Sequence, residues 1–170
     1  MKPKAEDCPP YFQNYISQVE EDDCVLALEN TEKEIIAYLK TIPEGKGDYA
    51  YDDGKWTVKQ VLLHICDAER VFAYRALRFA RGDAQQNLSF EENHYAQASH
   101  AEARTIQSII DEFAAIRRST VLLFRSFSPK TLQNTGNMAS GKSTVNALGF
   151  VTAGHGNHHI KVLKERYFKI

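Results

Sequence analysis

The sequence contains few of the residues that interrupt helices and few of those that cross-link small proteins. Its 170 residues include five prolines, at positions 3, 9, 10, 43 and 129, so two long stretches lack the strongest helix breaker. Three cysteines, Cys8, Cys24 and Cys66, form no C-x-x-C pair and are too few for a disulfide framework. These shortages favour long helices in a reducing compartment.

Long apolar runs and an excess of one charge are also missing. No run of about 18 apolar residues occurs, and the first ten residues lack the apolar segment of a signal peptide, so we expect a cytoplasmic protein with no membrane partner. A net charge of −1 argues against nucleic acid as a partner. With 43% hydrophobic residues, the chain can form one domain, predicted to span residues 1–170.

Apolar residues recur at helical spacing in four segments. The predicted helices are residues 11–42 with a break near 22–23, then 57–82, 99–128 and 144–167. Ser99 and Glu102 are spaced as a capping box for the third helix, and Ser143 or Thr144 caps the fourth. No strand is predicted.

Four amphipathic helices that cannot bury their apolar faces alone indicate an all-α, four-helix bundle. The polar connector between the second and third helices, residues 83–98, is long for antiparallel neighbours. We therefore expect this connector to cross the bundle rather than turn back at once.

Three of the six histidines fall within six residues of the fourth helix. On a helical wheel His159 lies at the centre of the inward face and His155 about 40° away, so the two are neighbours on the core side. Two buried imidazoles leave ring nitrogens to satisfy, and a divalent metal bound by H-x-x-x-H would do so. A hydrogen-bonded core pair is the alternative. His158 lies at the edge of the inward face of the fourth helix, where we expect it to contact solvent or to support the ligands from behind.

A third ligand is expected from another helix. His64, on the second helix, lies on the flank of the apolar stripe, from where it can face into a bundle. Three histidines without a fourth protein ligand would leave coordination positions for water or substrate. Asp67 and Glu69 are candidates for orienting a ligand or moving a proton, or else a surface carboxylate and a partner for an arginine such as Arg166.

Residues 136–143 match the phosphate-loop pattern G-x-x-x-x-G-K-[ST]. A phosphate loop follows a buried strand of a parallel sheet, and no such strand is predicted before Gly136. Gly141 and Ser143 are better explained as the turn and cap that begin the fourth helix. Nucleotide binding is therefore the least favoured function.

The segments Trp56–Asp83 and Gly154–Tyr167 resemble the DinB/YfiT-like metalloenzymes, through one histidine on the second helix combined with H-x-x-x-H on the fourth. The resemblance implies a bundle in up-down-down-up order, often a homodimer, with a divalent metal held by three histidines. Carried over by motif, these ligands are His64, His155 and His159. Gly156 stands where related sequences tend to carry Glu, so we expect no helper role at that position, while the three ligands are intact.

The resemblance implies activities that include metal-dependent transfer to low-molecular-weight thiols, isomerisation and hydrolysis. Our leading hypothesis is a bundle that binds nickel, zinc, manganese or iron at His64, His155 and His159, and activates a thiol or water for reaction with a small-molecule substrate. A non-catalytic helical bundle that acts as a binding module is the alternative.

Overall fold

Four helices of 16 to 23 residues bury the apolar stripes and form a four-helix bundle, as predicted. In the computed structural model, which describes residues 1–170, the long helices are α2, α3, α5 and α7, with three short helices between or before them. The helices are α1 (Pro10–Ile16), α2 (Cys24–Leu39), α3 (Val58–Ala80), α4 (Glu92–Ala98), α5 (Ile106–Arg125), α6 (Pro129–Leu132) and α7 (Val145–Val162). A π-helical turn, Leu163–Phe168, continues α7.

Side-chain caps determine where the long helices begin. The Asp23 carboxylate accepts hydrogen bonds from the first turn of α2, at the break predicted near residues 22–23. Thr57 forms a capping box with Gln60 at the start of α3, and Thr144 caps α7.

The predicted start of the third long helix at Ser99 is wrong. Ser99 instead ends the short helix α4, and α5 begins at Ile106 with Thr105 as its cap. His100 has φ 50°, in the left-handed region that a helix cannot include, so the chain changes direction there.

The expectation of no strand is also wrong. β1 (Thr135–Met138) and β2 (Gly141–Thr144) form an antiparallel hairpin immediately before α7. Gly141 has φ +125°, which glycine alone adopts readily, and it begins the second strand rather than the helix. The phosphate-loop pattern is therefore a two-stranded hairpin, with the Lys142 side chain exposed on β2.

The direction of each long helix follows from two separate apolar clusters. The early residues of α3 and α5 pack in one cluster and their later residues in the other, so these helices run parallel. The helices α2 and α7 pass through the clusters in the reverse order. The order is up-down-down-up, and α2 lies beside α5 and α7 rather than beside α3.

The parallel pair α3 and α5 requires a connector that returns along the bundle. The Asn87 backbone bonds to the hairpin near the end of α3, and the Ala96 carbonyl accepts from Gln60 near its start. The connector therefore spans the bundle, as its length predicted.

A layer of buried polar side chains separates the two apolar clusters. Each long helix contributes one residue at the boundary: Thr31, Glu69, Arg117 and His155. Buried polar groups need hydrogen-bond partners, so the contacts in this layer are specific polar contacts rather than apolar packing. None of the helices has the length and apolar composition that crossing a membrane would require.

Candidate metal centre

The structure brings His64, His155 and His159 together at one point beside the polar layer. One nitrogen of each imidazole lies within 4.8 Å of the other two, with His64 from α3 and the other pair from α7. The i,i+4 spacing places His155 and His159 one above the other on the same face of α7. The three residues singled out from the sequence are therefore neighbours, and we call them the histidine cluster.

The Nε2 atoms of the histidine cluster face one another. Nε2 of His155 lies 3.1 Å from Nε2 of His64 and 3.1 Å from Nε2 of His159. His155 is thus the central member, with one nitrogen neighbour on each side.

Burial keeps the imidazoles of the histidine cluster neutral. His64 and His155 are each 4% exposed, and His159 is partly buried. Loss of hydration lowers the pKa of His64 to about 4, with a smaller contribution from His158. Burial, followed by the neighbouring histidines, holds the pKa of His155 and His159 well below the usual value.

Aromatic rings fix the orientation of the imidazoles. The Trp56 ring lies 4.8 Å from the His64 ring, and Phe72 packs edge-on to His155 at 5.5 Å. Tyr15 of α1 packs edge-on to both His155 and His158, at 5.3 and 5.5 Å. His158 therefore lies behind the histidine cluster, against Tyr15 and His159.

The contact of α1 with the histidine cluster depends on Gly154. A Cβ atom at this position would lie 2.0 Å from the Tyr15 carbonyl oxygen, so the two backbones touch directly. Only glycine permits this approach. Gly154 thus brings Tyr15 against His155, the next residue of α7.

Glu69 does not reach the histidine cluster. Its carboxylate accepts two hydrogen bonds from Arg117, at 2.8 and 2.9 Å, and both side chains are fully buried. The partner is Arg117 rather than Arg166, which instead contacts the Tyr51 hydroxyl. The sequence held a signal for this pair, because Arg117 lies one turn from both Phe113 and Val121 on the apolar face of α5.

Asp67 also lies away from the histidine cluster, where it pairs with Arg70 at 3.3 Å. Cys66 is a buried thiol whose pKa burial raises, as expected of a core residue. Among the arginines of α3, Arg70 is half exposed and pairs with Glu112, whereas Arg78 is mostly buried and pairs with Asp83. Arg75 is buried and forms no ion pair.

Two cavities adjoin the histidine cluster, one at each end. The first, of about 240 Å³, has His155 in its wall, and we call it the aromatic cavity because Phe12, Tyr15, Phe72 and Phe90 line it. The second, of about 260 Å³, has His159 in its wall beside Trp56 and Tyr167. Molecules can thus approach the histidine cluster from two sides.

Solved structures with the same fold include two of described function. YfiT from Bacillus subtilis, described as "a probable metal-dependent hydrolase with an unusual four-helix bundle topology", is 15% identical, with a TM-score of 0.71 over 99% of this chain and 94% of that one. A mycothiol-dependent maleylpyruvate isomerase is 10% identical, with a TM-score of 0.68 over 94% of this chain and 62% of that one. At these identities the likeness concerns the fold.

Sequence comparison gives the family. A protein of Bacillus mycoides (strain KBAB4) named "Putative metal-dependent hydrolase" is 25% identical over 150 residues, which are 85% of this chain and 86% of the relative. The model of the DinB superfamily matches residues 27–163, which include all four long helices except the first turn of α2. The chain therefore belongs to the DinB superfamily.

Proposed function

We propose that this protein is a metal-dependent hydrolase of small molecules, with His64, His155 and His159 as the ligands of one divalent transition metal ion. The relatives named as metal-dependent hydrolases support the reaction class. The observation that carries the proposal is the convergence of three Nε2 atoms at a buried point.

Hydrogen bonding alone does not account for this convergence. An imidazole nitrogen carries one proton or one lone pair in the plane of its ring. Nε2 of His155 has two nitrogen neighbours, both at 3.1 Å, so it cannot point its single site at each of them. A cation bound by all three lone pairs satisfies every one of these nitrogens, whereas a hydrogen-bonded core pair leaves one contact unexplained.

The spacing of the nitrogens fits a metal of ordinary size. With metal–nitrogen bonds of about 2.0–2.1 Å, two tetrahedral ligands are separated by about 3.3 Å. Two of the three separations, both 3.1 Å, lie close to that value, and the third pair, His64 with His159, lies within 4.8 Å. The nitrogen ligands suit zinc, nickel, iron and manganese alike, so the donor set does not select one of them.

Low imidazole pKa values also suit a metal site. Ligand nitrogens must be deprotonated, and burial already removes the competing proton from His64 at neutral pH. When bound, such a metal polarises a carbonyl group or lowers the pKa of a bound water or thiol.

The residues of the chain hold and enclose the reacting groups. Trp56, Tyr15 and Phe72 fix the imidazole planes and exclude bulk water from the histidine cluster. The cavities beside His155 and His159 let a substrate and a nucleophile reach the cluster from different sides.

A thiol nucleophile is the second candidate in place of water. It is supported by the fold shared with the mycothiol-dependent maleylpyruvate isomerase and by the second cavity, where Lys55, Asn93 and Tyr51 provide polar contacts for a small thiol. In this version the protein is a thiol transferase that uses the same three histidines.

Metal analysis tests the ligand assignment. Protein purified without a polyhistidine tag should hold about one transition metal ion per chain, and His155→Ala and His159→Ala should lose it. His94→Ala is the matched control, because His94 is exposed on α4 and away from the histidine cluster. Absence of metal in the wild type, with no rise in Tm when zinc or nickel ions are added, would refute the site and favour a non-catalytic binding module.

Assays with and without a thiol separate the two reactions. The metal-loaded protein should cleave a panel of small esters and amides without any added thiol, and His159→Ala should not. Turnover that appears only with a low-molecular-weight thiol, and that consumes it, would replace hydrolysis by thiol transfer.

A further inference from the structure

Arg75 is a buried cation without an anionic partner. It is 8% exposed, and its one hydrogen bond runs from Nη2 to the Leu88 carbonyl oxygen at 2.8 Å. A guanidinium has five N–H donors, so four are left without an acceptor in the protein. No carboxylate lies within salt-bridge distance, and burial alone lowers the pKa of Arg75.

The other arginines of the bundle interior and its edges do have partners. Arg117, the most buried, is held by both oxygens of Glu69, while Arg70 and Arg78 pair with the partly exposed carboxylates of Glu112 and Asp83. A buried charge is costly unless it is paired, so an arginine left over in this way is suited to bind an anion from outside the chain.

Arg75 lines the aromatic cavity together with His155. The cavity walls are formed by α1, α3, the connector and the turn of the β1–β2 hairpin, which contributes Met138 and Ser140. The free nitrogens of Arg75 are not sealed in the core, because Tyr38 Oη is the only fully enclosed side-chain polar atom without a partner. They therefore remain accessible, on a residue that borders this cavity.

We propose that the aromatic cavity binds a small organic acid, with its carboxylate on Arg75 and its apolar part between Phe12, Phe72 and Phe90. As the substrate site of the metal-dependent reaction, this assignment rests on the proposed function. The binding of the anion itself does not, because Arg75 is not one of the proposed metal ligands. The far end of the bound acid would lie beside His155.

The charges around the aromatic cavity favour a monoanion. One guanidinium balances one negative charge, and its planar N–H groups match the two oxygens of a carboxylate. Glu92, exposed at the rim, adds a negative charge that opposes a second one on the ligand. A carboxylate therefore fits better than a phosphate dianion.

Aromatic probes with different charged or neutral head groups test the proposal on metal-free protein. Phenylacetate, phenylacetamide and phenylphosphate are titrated by calorimetry after treatment with a chelator, so that a metal cannot contribute to binding. Phenylacetate should bind at least tenfold more tightly than phenylacetamide and more tightly than phenylphosphate. In Arg75→Met this preference should shrink to about twofold or less, and Arg75→Lys should retain part of it.

Arg81→Met is the matched control, because Arg81 is exposed at the end of α3 and outside the cavity. It should keep the full preference of the wild type. Equal binding of acid and amide, absence of phenylacetate binding, or a preference that survives in Arg75→Met would overturn the proposal. Tighter binding of phenylphosphate would overturn the choice of a carboxylate.

The ligand series on the wild type stays decisive if Arg75→Met does not fold. Metal content is measured on a separate sample of the same protein. If the protein binds metal but does not prefer phenylacetate over phenylacetamide, only the role of Arg75 is refuted. If it prefers phenylacetate but binds no metal, only the histidine metal site is refuted.

Discussion

Individual residues of the histidine cluster connect protonation to stability. His64 has a pKa of about 4 in the folded protein, below the value of about 6.5 for an unperturbed histidine. Between these values the unfolded chain binds a proton that the folded chain does not, so acid favours unfolding in this range. His155 and His159 act in the same direction because burial lowers their pKa as well.

The metal-free protein should therefore lose stability as the pH falls from about 6.5 to 4. At most about 3 kcal/mol of this loss belongs to His64, at 1.36 kcal/mol for each unit of pKa. His64→Gln should show a flatter pH dependence of the unfolding free energy, measured in urea at several pH values. An identical slope in His64→Gln and wild type would contradict the assigned pKa direction.

The buried pair of Glu69 and Arg117 gives a second prediction. Arg117→Met would leave the Glu69 carboxylate buried without a cation, and it would remove donors to the Leu28 carbonyl and Thr31 hydroxyl. We expect a loss of about 3–5 kcal/mol in the free energy of unfolding at pH 7. Combining it with Glu69→Leu should recover a large part of the loss. A double variant less stable than the single one would contradict this account.

Among the elements, α1 is held to α7 by a direct backbone contact. Gly154→Ala places a methyl group where the Tyr15 carbonyl oxygen lies, so α1 must shift outward. We expect a cost of about 1–3 kcal/mol and a weaker packing of Tyr15 on His155. Denaturant unfolding measures the cost, and tyrosine fluorescence quenching reports the exposure of α1.

Gly45→Ala is the control for this substitution, because no atom lies within 4 Å of the position of its Cβ. It should leave stability within about 0.5 kcal/mol of the wild type. Equal effects of the two substitutions would show that the close approach at Gly154 does not matter.

The conformation of the β1–β2 hairpin predicts that the protein does not bind ATP. Its Lys142 is exposed on β2 rather than in a loop at a helix N-terminus, so it lacks the backbone cradle that holds phosphates. ATP with magnesium should cause no shift in Tm, and Lys142→Ala should leave metal content unchanged. A saturable rise in Tm with ATP that is lost in Lys142→Ala would restore the nucleotide hypothesis.

At the scale of the whole molecule, periodicity predicted the four long helices and the inward face of α7. The spacing of polar and apolar residues is local, which is why His155 and His159 could be placed before the structure was known. The return path of the connector was predictable from its length alone.

Other features depend on contacts that no local pattern contains. The start of α5 follows a change of chain direction at His100, which has a left-handed conformation. The hairpin depends on the pairing of Gly141 with Met138 across the two strands, where the sequence had suggested the start of a helix. The isolation of Arg75 becomes visible only when all its neighbours are known. Its spacing from Phe72 and Phe79 places it on the flank of the apolar stripe of α3, but that spacing does not show whether a partner is present.

The homodimer implied by the family resemblance stays a prediction. Light scattering at micromolar concentration should give twice the chain mass of 19.3 kDa. The mass of a single chain at this concentration would exclude a stable dimer.

The up-down-down-up order also has a consequence for biosynthesis. The helix α7 lies between α2 and α3, and it is translated after both of them. Until α7 is made, the nascent chain has His64 but neither His155 nor His159, and the place of α7 between α2 and α3 is empty. The proposed three-histidine site can therefore form only after α7, the last long helix, packs between α2 and α3 and closes the bundle.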